Sequence, residues 1–333
     1  MKSFRQRLQE PAPMIFDGGF GSQLFLRGIQ LTNSALANDL HPEAVVAIHR
    51  DYIAAGAEVI ETNTFVASPL HLAMADRDAA EAEKLVRLAV RHARRAVAES
   101  GRPVYVAGSL GPSPGAIEAD AGGVDFGIAN AAVKEAHERV VGAMVEEGVD
   151  FFCIETMFSA KEAAMAAEAA RQTGLPIAVN LTYKYTRDRK TGAEVYRTDW
   201  GHTAGDLLDI LAGGEFSGGV NLLDHVELLG LNCGAEPERP EHTGMPYAIS
   251  GVRQLRQALA ARGVVGKRFM AYPNAGLPRL DKDRKTTHYP HSPEEMASRA
   301  GDLLGEGAYL IGGCCGTTPA HIRALRAAVD AAV

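Results

Sequence analysis

Cysteine is scarce in this chain: its 333 residues include four, Cys153, Cys233, Cys314 and Cys315. So few thiols in so long a chain exclude a disulfide scaffold, and reduced thiols in the cytosol are the expectation. Basic residues are not in excess either. Lys and Arg number 34 against 41 Asp and Glu, a formal net charge of −7, which argues against a general nucleic-acid binder with its basic face. No run approaches ~18 uncharged apolar residues, so no membrane-spanning helix is expected. The opening segment MKSFRQRLQEPAPMIF is positively charged but lacks the apolar core of a secretory signal. No linker or composition break divides the chain, and the first βα turn lacks a G-x-G-x-x-G fingerprint, which weighs against a doubly wound two-domain protein.

What the chain does have is apolar content, 46%, enough to bury a substantial core. Eight short apolar runs are candidate strands: Met14–Phe16, Glu58–Glu61, Val104–Ala107, Asp150–Ile154, Ile177–Leu181, Leu228–Leu231, Arg268–Ala271 and Ala308–Ile311. Several are almost continuously hydrophobic, as parallel strands covered on both faces are. Helical patterns separate them, at Pro42–Ala55, Ala80–Glu99, Ile128–Glu147, Ala160–Gln172, Ala204–Leu211, Ser250–Arg262, Pro293–Leu304 and Pro319–Ala332. Strand–helix alternation forces right-handed crossovers and a parallel sheet. Eight such units predict an α/β chain folded as a single (β/α)8 TIM barrel over 1–333, with 1–12 as an N-terminal extension, since ~250 residues is typical of that fold. The surplus lies mainly in polar stretches at Tyr183–Thr203, Gly234–Ala248 and Gly276–His291, each after a strand. They predict elongated loops at the C-terminal face, the first with a hairpin turn around Arg189-Lys190-Thr191-Gly192.

Barrel active sites occupy the C-terminal strand ends, and here those ends are rich in polar residues and glycine. They read Asp17-Gly18-Gly19, Thr62-Asn63-Thr64, Gly108-Ser109-Leu110-Gly111-Pro112, Glu155-Thr156, Asn180 with Thr182, Asn232-Cys233-Gly234, Pro273-Asn274-Ala275-Gly276 and Gly312-Gly313-Cys314-Cys315-Gly316. Three of the four cysteines fall at two of them. Cys233, Cys314 and Cys315 can converge on one opening, and three thiolates make a soft site that suits Zn²⁺ with a fourth position free for substrate. Two neighbouring cysteines reach one ion only if the backbone turns sharply, a freedom expected of Gly312, Gly313 and Gly316. Cys153, inside Phe151-Phe152-Cys153-Ile154, reads as a small core hydrophobe. A non-catalytic zinc barrel, or a redox barrel with a Cys314–Cys315 vicinal disulfide, stands as the alternative. A three-thiolate zinc suits an acceptor thiol, whose ordinary pKa of ~8.5 leaves it mostly protonated at neutral pH. The implied chemistry is attack of an activated thiol on an electrophilic carbon.

The motifs Asp17-Gly18-Gly19, Glu61-Thr62-Asn63-Thr64-Phe65, Gly108-Ser109-Leu110-Gly111-Pro112, Gly230-Leu231-Asn232-Cys233 and Gly312-Gly313-Cys314-Cys315-Gly316-Thr317 resemble the homocysteine S-methyltransferase family. That family includes betaine–homocysteine methyltransferase and the homocysteine module of cobalamin-dependent methionine synthase. The likeness runs from about Met14 to the C-terminus. It implies a cytoplasmic, zinc-bearing barrel that methylates homocysteine to methionine, with Cys233, Cys314 and Cys315 as catalytic metal ligands. It further implies that Glu155 pairs with the amino group of homocysteine, beside Asp17 and the Gly18 and Gly19 backbone, and that Asn274 fills the fourth zinc position when substrate is absent. Thr62, Asn63 and Ser109, at the ends of strands two and three, complete the candidate substrate-binding set. Because the chain ends after the eighth unit, the expected donor is a small onium compound: S-methylmethionine, S-adenosylmethionine, betaine or dimethylsulfoniopropionate. A separate methyl-corrinoid protein is the alternative. An onium donor calls for aromatic walls, which Tyr183, Tyr185, Tyr196, Trp200 and Tyr289 could supply. His242, His288 and His291 share the long loops but carry no expected role.

Overall fold

Runs that alternate between apolar strands and amphipathic helices bury both faces of a sheet at once, and here the sheet curls into a parallel barrel with helices outside. The computed structural model describes residues 1–234, 239–280 and 287–332. Its barrel strands are β1 (Met14–Ile15), β2 (Val59–Glu61), β3 (Tyr105–Leu110), β4 (Phe151–Met157), β5 (Ile177–Leu181), β6 (Leu228–Cys233), β7 (Arg268–Pro273) and β8 (Ala308–Ile311). They lie in the order β1-β8-β7-β6-β5-β4-β3-β2, each strand parallel to its neighbours in that order. At the remaining seam the Glu58 N–H donates to the Ile15 carbonyl at 2.8 Å. All eight expected strands form. Several run past their apolar stretch, so Ser109, Glu155 and Cys233 sit on strand backbone rather than in loops.

The outer helices are α1 (Pro42–Ala55), α2 (Ala82–Ser100), α3 (Asn130–Glu147), α4 (Ala160–Arg171), α5 (Ala204–Gly213), α6 (Gly244–Ala261), α7 (Pro293–Ser298, continued as Ala300–Gly305) and α8 (Pro319–Ala332). Proline at the first position starts α1, and Gly56, at φ 110°, ends it in the left-handed region. Most helix ends fall within two residues of expectation, and two helices depart further. Helix α6 begins six residues early because Met245, Tyr247 and Ala248 are core residues. Helix α7 breaks at Arg299, whose backbone leaves helical geometry.

Period-two alternation divides each strand between lumen and helix layer. In β4, Phe151 and Cys153 belong to the inner cluster with Met270 and Tyr272, whereas Phe152 and Ile154 pack outward. Residues 1–12 seal the lower mouth. Ser3 caps a short helix, Phe4–Arg7. Phe4 stacks on Phe151 at 3.9 Å and meets Tyr105 edge-on at 5.2 Å. The barrel interior is thereby closed from below.

The hairpin expected after β5 forms from Lys184–Arg187 and Glu194–Arg197, with Gly192 at φ 70° in its turn. Residues 235–238 and 281–286 of the other two long loops lie outside the described residues. A fourth insertion, unannounced by composition, lies between β3 and α3; it carries the helix Glu118–Ala121 and an Ile117–Ile128 bridge. Among the described residues no helix is long and apolar enough to cross a membrane.

Candidate active site and metal centre

The three cysteines reach one point because β6, β7 and β8 are neighbours and their exits are laced together. Cys233 ends β6 at φ 55°, a left-handed conformation unusual for a side-chain-bearing residue. From the next strand end, the Asn274 N–H donates to the Cys233 carbonyl at 3.2 Å, and its side-chain amide donates to the Gly234 carbonyl at 3.2 Å. Asn274 Oδ1 in turn accepts the Cys315 N–H at 3.0 Å, and the Cys314 N–H donates to Pro273 at 2.9 Å. Asn274 thus clamps the two cysteine loops to each other. The sulfurs lie within 4.8 Å of one another, Cys314 at 3.7 Å from Cys233 and 3.9 Å from Cys315. All are free thiols, and they could hold a metal ion. Hydrogen bonds from Cys233 and Cys314 hold the Cys315 thiol well below its ordinary range, while the bonds shared with Cys233 and Cys315, together with burial, push Cys314 up.

The glycines of the eighth loop divide the work differently from the expectation that all three supply backbone freedom. Only Gly316 uses it, at φ 79° beneath the Tyr289 ring. Gly312 and Gly313 serve close approach: a Cβ on them would meet the Asp17 carbonyl at 2.7 Å and the Thr317 side chain at 2.4 Å. The first loop is docked the same way. Gly19 donates its N–H to Thr317 Oγ1 at 3.0 Å, and that hydroxyl donates to the Cys314 carbonyl at 2.7 Å.

Beside the sulfurs lies a cavity of about 560 Å³, lined on one side by Asp17, Gly18, Gly19, Glu61, Thr62, Asn63, Glu155 and Tyr272 and on the other by apolar residues including Phe65, Val66, Met74 and Phe158. Three carboxyl groups converge in it. Asp17 accepts the Glu61 N–H at 2.9 Å. Burial, with the Glu155 charge adding, raises the Asp17 pKa well above the usual carboxylate range. Burial raises Glu61 too, reinforced by Glu155 and Asp17, and one of its oxygens has no partner. Glu155 is pushed up to about 7 by burial, partly offset by a hydrogen bond from Ser109 Oγ at 2.5 Å. Its other oxygen receives Asn232 at 3.3 Å and Tyr272 at 3.4 Å. Three acids, with no lysine or arginine on the lining and with His71 lowered to about 4 by burial, form a pocket that favours a cation.

Most of the sequence-predicted residues therefore meet in one place. Ser109 and Asn274 are the exceptions: neither lines the cavity, Ser109 acting through Glu155 and Asn274 through the cysteine loops. Thr62 and Asn63 line it but spend polar groups on neighbours: Thr62 Oγ1 accepts the Ser109 N–H at 3.1 Å, and Asn63 donates to Ser34 and Asn38. Glu61 and Asn232 stood in sequence motifs without a role assigned to them, and Tyr272 was not singled out. Strand periodicity held the signal, since each stands two residues beyond an inward-facing partner, Val59, Gly230 or Met270. The tyrosines of the fifth loop do not form a cage. Tyr183 and Tyr196 are buried, Tyr196 bonding His242 at 2.9 Å, and Tyr185 stacks on the same histidine. Neither His288 nor His291 lines the cavity.

Comparison with known proteins places this geometry. A model of the family "Homocysteine S-methyltransferase" matches residues 14–329. The methionine synthases of Mycobacterium tuberculosis and Mycobacterium leprae are each 32% identical to the chain over 95% of its length. The chain spans 24% of the length of each of these relatives. Among solved structures, the metallated form of the homocysteine methyltransferase MmuM from Escherichia coli superimposes with a TM-score of 0.68 at 25% identity, over 97% of this chain and 98% of that one. Its oxidized form gives 0.69 at 24% identity, over 98% and 99%, a likeness of fold alone. Family motifs, fold and cysteine geometry agree: this chain belongs to the homocysteine S-methyltransferase family.

Proposed function

We propose that this chain transfers a methyl group from a small donor to the thiol of homocysteine, giving methionine, with zinc held by Cys233, Cys314 and Cys315. The carrying observation is that three sulfurs from two strand ends meet beside three carboxyl groups in one cavity. Thiolates around a tetrahedral zinc, with Zn–S of about 2.3 Å, stand about 3.8 Å apart. The 3.7 and 3.9 Å separations fit that spacing, and three protein ligands leave the fourth donor to substrate.

When bound, zinc supplies a positive charge that lowers the pKa of an incoming thiol and keeps it a nucleophile at neutral pH. The chain's own residues orient the acceptor. Asp17 and Glu155 receive its ammonium group, and Glu61 stands next to both. Ser109, Asn232 and Tyr272 hold Glu155 in place. Phe65, Val66, Met74 and Phe158 lend the cavity apolar surface. The homocysteine sulfur then forms its bond to the methyl carbon as the donor's carbon–heteroatom bond breaks, the electron pair leaving with the donor and the thiol proton going to solvent. Positioning accounts for much of the rate.

The purified chain, incubated with homocysteine and each of S-methylmethionine, S-adenosylmethionine, betaine and dimethylsulfoniopropionate, should yield methionine with at least one. It should contain about one zinc per chain, and Cys314→Ala should lose both metal and activity. Activity in fully demetallated protein would overturn the mechanism. A second reading, in which methyl arrives on a separate methyl-corrinoid protein, is favoured by the greater length of the methionine synthase relatives. Turnover with any of the four small donors would count against it.

A further inference from the structure

Each of the four small donors carries a carboxylate a few bonds from its onium centre. In-line transfer fixes that centre against the homocysteine sulfur, beside Cys233, Cys314 and Cys315. The carboxylate is left to point away from the sulfurs, into the outer part of the same cavity. The three acids hold the inner part, and among the described residues no lysine or arginine lines the cavity. A carboxylate taken out of water without a hydrogen-bond donor is costly, so such a methyl donor needs one on the outer wall.

The lining drawn from residues 65–74 and 112–114 contains two polar side chains, Ser113 and His71. Ser113 is occupied: its hydroxyl and its N–H both donate to Glu162, at 2.5 and 2.7 Å. His71 is placed differently. It lies on the short helix Pro69–Met74, capped by Ser68, whose Oγ accepts the His71 N–H at 3.3 Å and stands 2.8 Å from the ring Nδ1. Among the described residues the Ser68 hydroxyl proton has no other acceptor, which assigns it to Nδ1 and leaves the ring's own proton on Nε2. Nε2 bonds to none of the described residues. Burial, opposed by Glu162, lowers the ring's pKa from 6.5 to about 4, so at neutral pH it is an uncharged N–H donor on the cavity wall.

We infer that His71 is a specificity-determining residue that donates its Nε2–H to the carboxylate of the methyl donor. An uncharged donor suits the place. A lysine or arginine there would repel the onium centre and compete for the acids that hold the acceptor ammonium, whereas an imidazole N–H binds the carboxylate and opposes neither. The inference rests on the methyl-transfer reading and deepens it, because it adds a second recognised group to the onium.

Equilibrium binding separates this site from the reaction. With homocysteine left out, the metal-loaded full chain is titrated calorimetrically with each of the four donors and with its counterpart lacking the carboxyl group, such as ethyldimethylsulfonium for dimethylsulfoniopropionate and tetramethylammonium for betaine. For the donor that binds, His71→Phe should weaken binding by about tenfold or more and leave the counterpart within about twofold. His71→Gln, which puts back an amide N–H, should recover most of the loss, and neither variant should move the homocysteine KM. Equal losses for donor and counterpart, no rescue by glutamine, or a changed homocysteine KM would overturn the assignment, as would failure of all four donors to bind. The outcomes separate the two claims. Carboxylate-dependent binding that needs His71, with no methionine formed once homocysteine is added, upholds the residue and sinks the reaction; methionine formed equally well by wild type and His71→Phe does the reverse.

Discussion

Replacing Glu155 by Gln tests the acceptor site at one of its buried acids. The substitution keeps size and shape, and Ser109 Oγ, now at 2.5 Å, still has an amide oxygen to meet. What disappears is one negative charge facing the substrate ammonium. Two unit charges about 4 Å apart interact by about 4 kcal/mol at an effective dielectric constant of about 20. Burial raises the pKa of all three cavity acids, and the substrate ammonium is the partner that favours their ionised forms. The Coulomb figure is an upper bound for one pair; deleting one partner of a buried charge pair costs about 2 kcal/mol at the low end of measured cases, or about 30-fold in affinity. The clean assay is a cycle. Wild type and Glu155→Gln are each measured with homocysteine and with 4-sulfanylbutanoate, which lacks the amino group, under metal-loaded conditions. Homocysteine should lose about 30-fold in kcat/KM on substitution while the deaminated thiol changes little, a coupling of about 2 kcal/mol. Metal content and thermal stability should not fall, because a desolvated acid has been removed. Equal losses for both thiols would show that Glu155 does not read the amino group and would refute the electrostatic argument.

Gly19→Ala should reduce activity severely, since its Cβ would stand 2.5 Å from the Cys314 carbonyl, whereas Gly142→Ala, on the outer helix α3 with open space around it, should be silent; equal activities would disprove the close-approach argument. Phe4→Ala should lower stability by about 3–5 kcal/mol in urea unfolding by emptying the lower barrel mouth, and a loss below about 1 kcal/mol would mean that the plug is not a core element. His49 is buried with both ring nitrogens unpartnered, and burial lowers its pKa from 6.5 to about 3. Between those values the unfolded chain binds the extra proton, so stability is complete above about pH 6.5 and falls as the pH drops, by about 2 kcal/mol at pH 5. Unfolding of His49→Gln at pH 7.5 and 5.0 should show that much less acid sensitivity than wild type; an identical pH slope would exclude His49 as the cause.

Much of this was legible in the chain. Eight apolar runs separated by amphipathic helices determine a barrel, because a strand apolar on both sides must be covered on both sides. Polar residues at the run ends then determine which mouth carries the site. The thiol cluster was legible for the same reason, since strand ends of a closed barrel surround one opening. Tertiary structure alone decided which other side chains join them. Glu61, Asn232 and Tyr272 turn inward through strand alternation, but only closure brings β2, β4, β6 and β7 within reach of each other across the lumen. Tyr185 and Tyr196 of the fifth loop fold onto His242 instead of the mouth, while Trp200 from the same loop lines a pocket with Phe158 and Asp120 from two others. Hydrophobic period records which way a residue on a strand points. How a long loop spends its aromatic rings is settled by packing against partners distant in the chain, and no local pattern encodes that.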